Sequence, residues 1–139
     1  MRRTTYLVIR IAGRRCTRLK CYAGSYSPTP VAGGGGFIWL WGIYEKWPRG
    51  KYLIVYRTQL LSEFQGPNVC FCDVPKNGNT IASRRPASSE FKSGSWSEVP
   101  VLLDLREPTG IEYRLWTNGH KMGMDRLYVF RVGGDEDRK

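Results

Sequence analysis

The sequence predicts a mostly β fold, a β-rich α+β domain arranged as an antiparallel sheet or partly open barrel of about 7–9 short strands with one short helix near residues 58–65. Three observations predict it. Apolar residues recur mainly at every second position, the runs are short, and Gly, Pro and Asn separate them. With 139 residues, 41% of them hydrophobic and 13% aromatic, the chain carries enough apolar material to bury the core of one domain. That domain is expected over residues 1–132, and the Gly-Gly and mixed charges of 133–139 read as a flexible tail.

Strands are expected near 4–11, 17–22, 37–44, 51–57, 69–73, 101–106, 111–117 and 126–132. The run from Phe37 to Tyr44 is apolar on both faces and reads as a central strand, with Trp39 and Trp41 in the core. Trp47-Pro48-Arg49-Gly50 and Glu107-Pro108-Thr109-Gly110 carry the Pro and Gly of a turn, and Asn77-Gly78 is a hairpin signal. The helix rests on Leu60, Leu61 and Phe64 sharing a face before Gly66-Pro67 stops it. Residues 23–36, with four consecutive glycines, and the Ser- and Arg-rich 83–100 read as long loops that carry specificity.

Eighteen aromatic residues argue against a disordered chain, and the longest strongly apolar run, eight residues from Phe37, is too short for a membrane helix. Arg10 interrupts the only apolar stretch near the start, so no secretory signal is read and a cytoplasmic location, in its own or a host cell, is expected. The formal net charge is +10, and its placement is informative. Residues 1–57 hold eleven basic groups against the single acid Glu45, while 58–139 hold eleven of each sign. Such an asymmetry concentrates a field that attracts polyanions.

The first hairpin is read with a three-residue loop, Gly13-Arg14-Arg15, which places Arg10 opposite Arg18, Tyr6 opposite Tyr22 and Val8 opposite Lys20. Rings that stack on bases would then alternate with guanidinium groups that pair with phosphate. The leading expectation is therefore a small non-enzymatic nucleic-acid-associated protein, contacting DNA or RNA through Tyr6, Arg10, Arg14, Arg15, Arg18, Lys20 and Tyr22. Arg84, Arg85 and Lys92 in the long loop would add secondary contacts. The alternative is a small regulatory or inhibitory protein that binds an acidic surface of a transcription or nucleic-acid-processing machine, with Trp47, Phe91 and Trp96 at the contact. Phage-encoded regulators share this size and sign of charge, an analogy of scale only.

A second alternative, a metal-independent ribonuclease, would use His120, the only histidine, with Glu98, Glu107, Glu112, Arg106 and Arg114. His120 follows Asn118-Gly119 at an expected hairpin tip, where an exposed histidine without a role is the ordinary outcome. Cys16, Cys21, Cys70 and Cys72 lack the two-residue spacing of zinc knuckles and read as free thiols, with Cys70 and Cys72 on one face. Gly33–Gly36 is followed by a strand and by no Gly-Lys-Ser/Thr, so it is no phosphate loop. Neither a cofactor nor a metal is expected, and no catalytic set emerges.

Overall fold

The computed structural model describes residues 8–11, 14–23, 29–30, 37–41, 45–92 and 94–132. Among these the chain forms β1 (Val8–Ile11), β2 (Arg14–Ala23), β3 (Thr29–Pro30), β4 (Phe37–Trp41), β5 (Lys46–Trp47) and β6 (Gly50–Leu60). There follow β7 (Phe71–Lys76), β8 (Asn79–Arg84), a 3-10 turn (Ser88–Glu90), β9 (Ser97–Leu105), β10 (Thr109–Gly110), β11 (Tyr113–Trp116) and β12 (Met122–Val132). One five-stranded sheet runs β1-β2-β12-β6-β9, a second runs β3-β4-β11-β7-β8, and β10 with β5 forms a short ribbon. Every pairing is antiparallel. The mostly β expectation holds, as two sheets packed face to face rather than a barrel.

Alternation explains the packing. Tyr52, Ile54 and Tyr56 of β6, Val99, Val101 and Leu103 of β9, and Leu127 and Val129 of β12 meet Cys72, Val74, Tyr113 and Leu115 of the second sheet in one buried cluster. Burying each large apolar side chain contributes roughly 1.5–3 kcal/mol. The intervening residues Leu53, Val55, Phe130 and Val132 form a separate buried cluster with Tyr128 on the other face of the first sheet. β6 is thus buried on both faces; for the run from Phe37, the backbone of β4 is described and its side chains, including Trp39 and Trp41, lie outside the described residues.

The expected helix near 58–65 is not formed. Thr58, Gln59 and Leu60 extend β6 and pair with Met124, Gly123 and Met122, and the Leu61 and Ser62 amides donate to the Lys121 carbonyl. A two-turn helix cannot match that, because few of its amides would find partners. Residues 83–100 are likewise not one loop: β8 ends at Arg84, the 3-10 turn follows, and β9 begins at Ser97. Asn77 and Gly78 have φ of 50° and 80°, as a tight hairpin turn requires, and join β7 to β8. Asn118 and Gly119, at 53° and 84°, make the same turn but carry the chain from β11 in one sheet to β12 in the other, so His120 is not at a hairpin tip. Of residues 23–36, only Ala23, Thr29 and Pro30 are described, and the tail 133–139 lies outside the described residues.

The buried tyrosines set an alkaline limit. Tyr56 is fully buried and its hydroxyl donates to the Asp73 carbonyl at 3.0 Å; burial pushes its pKa well above the ordinary value, and burial does the same for Tyr113. In both cases the folded pKa exceeds the unfolded one, so the contribution is complete below about pH 10 and shrinks as pH rises beyond it. The urea midpoint is expected to fall between pH 9 and 11; a midpoint constant through pH 11 would contradict this.

Candidate functional site

At the end of the sandwich where β6 finishes, residues 61–70 and the segment around the 3-10 turn form two facing walls. Reciprocal hydrogen bonds tie them: the Gly66 amide donates to Ser88 Oγ at 2.9 Å, the Ser88 amide to the Gly66 carbonyl at 2.8 Å, and the Val69 amide to the Pro86 carbonyl at 2.9 Å. The Lys121 amide donates to Ser62 Oγ at 2.6 Å. Phe64 is held from two sides. Its ring lies 4.2 Å from that of His120, and a Cβ on Gly66, whose φ is +147°, would stand 3.2 Å from the ring.

Between the walls lies a cleft of about 640 Å³. Leu60 and Phe91 are buried in its lining and Phe64 is half-buried, while Ser62, Glu63, Gln65, Ser88 and Ser89 supply hydroxyl, amide and carboxylate groups. Beside this end of the strands Trp96 is 40% exposed, with the Arg57 guanidinium 4.9 Å from its ring centroid. Arg57 is fixed by Asp125 at 2.5 Å, and Gln59 Nε2 donates to the Gly94 carbonyl at 2.7 Å. Gly123 lies beneath, where a Cβ would stand 3.7 Å from the Trp96 ring. The arrangement offers apolar surfaces bordered by short, fixed hydrogen-bonding groups, the composition of a small-molecule site.

The cross-strand pairs expected on the first hairpin are not the ones formed. Val8 pairs with Thr17, Arg10 with Arg15 and Ile11 with Arg14, so the loop is two residues long and Arg10 is not opposite Arg18. A register shift in β12 against β2 then pairs Lys20 with Val129 but Arg18 with Phe130. Val129 belongs to the core between the sheets and Phe130 to the cluster on the outer face, which divides Arg18 from Lys20. Lys20 and Tyr22 both bind Glu45, and Arg18 lies 5.9 Å from the Tyr128 ring centroid. For Arg10, Arg14 and Arg15 only the backbone is described; Tyr6 and Cys16's side chain lie outside the described residues.

Arg84 and Arg85 belong to the other sheet's end, where Arg84 pairs with Glu90 and Arg85 lies 3.9 Å from the Phe71 ring centroid. Of the three expected interface aromatics, Trp96 is exposed. Trp47 packs at 5.9 Å on Tyr52 with a buried indole nitrogen, and Phe91 is buried against the core. The ribonuclease set is dispersed as well: Glu107 pairs with Lys76 and Arg114 with Asp73, while His120 stacks on Phe64. Cys70 and Cys72 are buried free thiols with Sγ atoms 4.0 Å apart, and burial pushes the Cys72 thiol up.

No family model and no curated relative matches the chain. Among solved structures it is similar to the C-terminal family 6 carbohydrate-binding module of LamC, a marine laminarinase from Zobellia galactanivorans. The TM-score is 0.50 at 18% identity, over 82% of this chain and 93% of that one. In fold, the chain resembles a carbohydrate-binding module. It is also similar to family 35 modules from Paenibacillus barcinonensis (TM-score 0.47, 16% identity, 91% of this chain and 98% of that one) and Clostridium thermocellum (TM-score 0.43, 13% identity, 91% and 98%). The fold likeness to the family 6 module corrects the functional expectation: nucleic acid and acidic protein surfaces give way as partners, and the regulatory, transcription-linked and ribonuclease readings fall with them.

Sequence reasoning missed Leu60, Ser62, Glu63, Phe64 and Gln65 as site residues because they were read as helix. It did place Ser88, Ser89 and Phe91 in a loop expected to carry specificity. The one signal for the first wall was Gly66 two residues after Phe64, a glycine read as a helix stop rather than as clearance for a ring.

Proposed function

We propose that this protein binds carbohydrate, with the cleft between residues 60–65 and 88–91 as the contact. The observation that carries the reading is the cleft's composition at the loop end of a β-sandwich whose fold is shared with a carbohydrate-binding module. A sugar ring presents apolar C–H faces edged by hydroxyl groups. Phe64, Phe91 and Leu60 match the faces, and Glu63, Gln65, Ser88 and Ser89 match the hydroxyls as acceptors and donors. The walls are tied before any ligand arrives, which lowers the ordering cost of binding. Trp96, being exposed on the same end, extends the apolar surface for a longer chain.

The test is titration calorimetry against soluble β-glucans, xylans, mannans and galactans. The parent is expected to bind at least one, and Phe64→Ala to weaken it about tenfold or more, on the order of 1.4 kcal/mol, with an unchanged circular dichroism spectrum. Gln65→Ala, which leaves the apolar lining intact, should weaken binding to a smaller extent. If no glycan binds, or if both variants bind like the parent, the cleft is not a carbohydrate site.

A further inference from the structure

We propose that a second cleft, at the opposite end of the sandwich, holds the oxyanion substituents, sulfate esters or carboxylates, of an acidic glycan; this rests on the carbohydrate reading above and adds to it a site and a ligand charge. The cleft, of about 620 Å³, is lined by Arg49, Lys51, Arg106 and Arg131 with Asp104 as its one carboxylate. Its cations come from three adjacent strands. Gly50 of β6 pairs with Leu105 of β9, so Arg49 and Arg106 lie just beyond the last paired residues, and Tyr52 of β6 pairs with Arg131 of β12 on its other side.

Like charges brought together at a strand end repel unless something offsets them. Among the described residues none of these four cations makes an ion pair, whereas Arg57, Arg84 and Arg114 each hold a carboxylate. Two unit charges 4 Å apart repel by roughly 1 kcal/mol even in bulk water, and more beside a protein wall. A bound oxyanion converts that repulsion into attraction.

The site is also built. The Arg131 guanidinium lies 2.8–2.9 Å from where a Cβ on Gly50 would stand, and 5.7 Å from the Tyr52 ring centroid. The planar fork lies against the Gly50 backbone, its geometry suited to paired oxygens of a sulfate or carboxylate. Asp104, cross-strand from Lys51, can accept hydrogen bonds from sugar hydroxyls. Among the described residues no aromatic ring lines this cleft to stack on a base. β6, running from Gly50 to Leu60, separates the two clefts by about 30 Å at the usual strand rise, so each can be altered without the other.

The experiment measures affinity for a sulfated galactan, polygalacturonate and a neutral galactan, for the parent, Arg49→Ala/Arg106→Ala and Gly50→Val, with thermal unfolding of each as control. The parent is expected to bind one or both acidic polymers at least tenfold tighter than the neutral one at low salt, with the preference shrinking as salt rises. Both variants should abolish the preference, Gly50→Val by displacing Arg131, and leave neutral-glycan binding unchanged. Tight binding of the sulfated polymer alone assigns sulfate esters, and of polygalacturonate alone, carboxylates. Neutral binding without an acidic preference, or a preference untouched in folded variants, overturns this inference only. If none of the three polymers nor any glycan of the wider panel binds, both readings fall. Duplex DNA bound as tightly as the acidic polymers, and lost in the same variants, overturns the assignment to a glycan.

Discussion

Asp73→Ala is expected to lower the free energy of unfolding by about 3–5 kcal/mol, the cost of breaking a buried ion pair from one side. Asp73 has no exposed surface and accepts four hydrogen bonds: from Arg114 Nε at 3.0 Å and Nη2 at 2.6 Å, from Trp116 Nε1 at 3.1 Å and from Thr80 Oγ1 at 2.8 Å. Three strands meet at this carboxylate, since Asp73 is on β7, Arg114 and Trp116 on β11 and Thr80 on β8. Removing it leaves a half-buried guanidinium and an indole N–H without their acceptor. Asp73→Asn keeps the shape and one acceptor oxygen, so its loss should be smaller. A urea titration measures both, and a loss below about 1 kcal/mol for Asp73→Ala would show the network to be dispensable.

The second large effect is at Tyr56, which joins the sheets. Its ring fills the core from β6, and its hydroxyl reaches the Asp73 carbonyl of the opposite sheet. Tyr56→Ala should cost about 3–5 kcal/mol through lost burial and the cavity left behind. Tyr56→Phe keeps the ring and removes the single hydrogen bond, and should cost about 1 kcal/mol. The separation between the variants is the informative quantity: similar losses from both would mean that the hydroxyl, not the ring, braces the sandwich.

What could be read from the chain was local. Val99, Val101, Leu103 and Leu105 alternate along β9, and Asn77-Gly78 specifies its turn through two residues able to adopt positive φ. What escaped was set by distant partners. The three-residue loop expected for the first hairpin rests on its own residues, yet β12, about a hundred positions later, skips Leu19 in its register with β2 and reverses the alternation midway. Thr58–Leu60 were claimed by a strand for the same reason, because Met122–Met124 supply a pairing edge that no local pattern announces. Both clefts depend on such partners: one needs Gly66 beside Ser88, the other needs Arg131 beside Gly50. The excess positive charge was plain in the composition, but the meeting of Arg49, Lys51, Arg106 and Arg131 at a sheet end was not.

The position of β12 also governs when the molecule can form. It lies between β2 and β6, so the earlier strands of its sheet cannot close against one another while it is missing. During synthesis the larger part of the chain must therefore wait, with the apolar edges of β2 and β6 uncovered, until residues 122–132 leave the ribosome. Folding that depends on such distant pairings runs on the scale of milliseconds to seconds and is cooperative. The exposed edges in that interval make a nascent or truncated chain prone to aggregate and a client for chaperones.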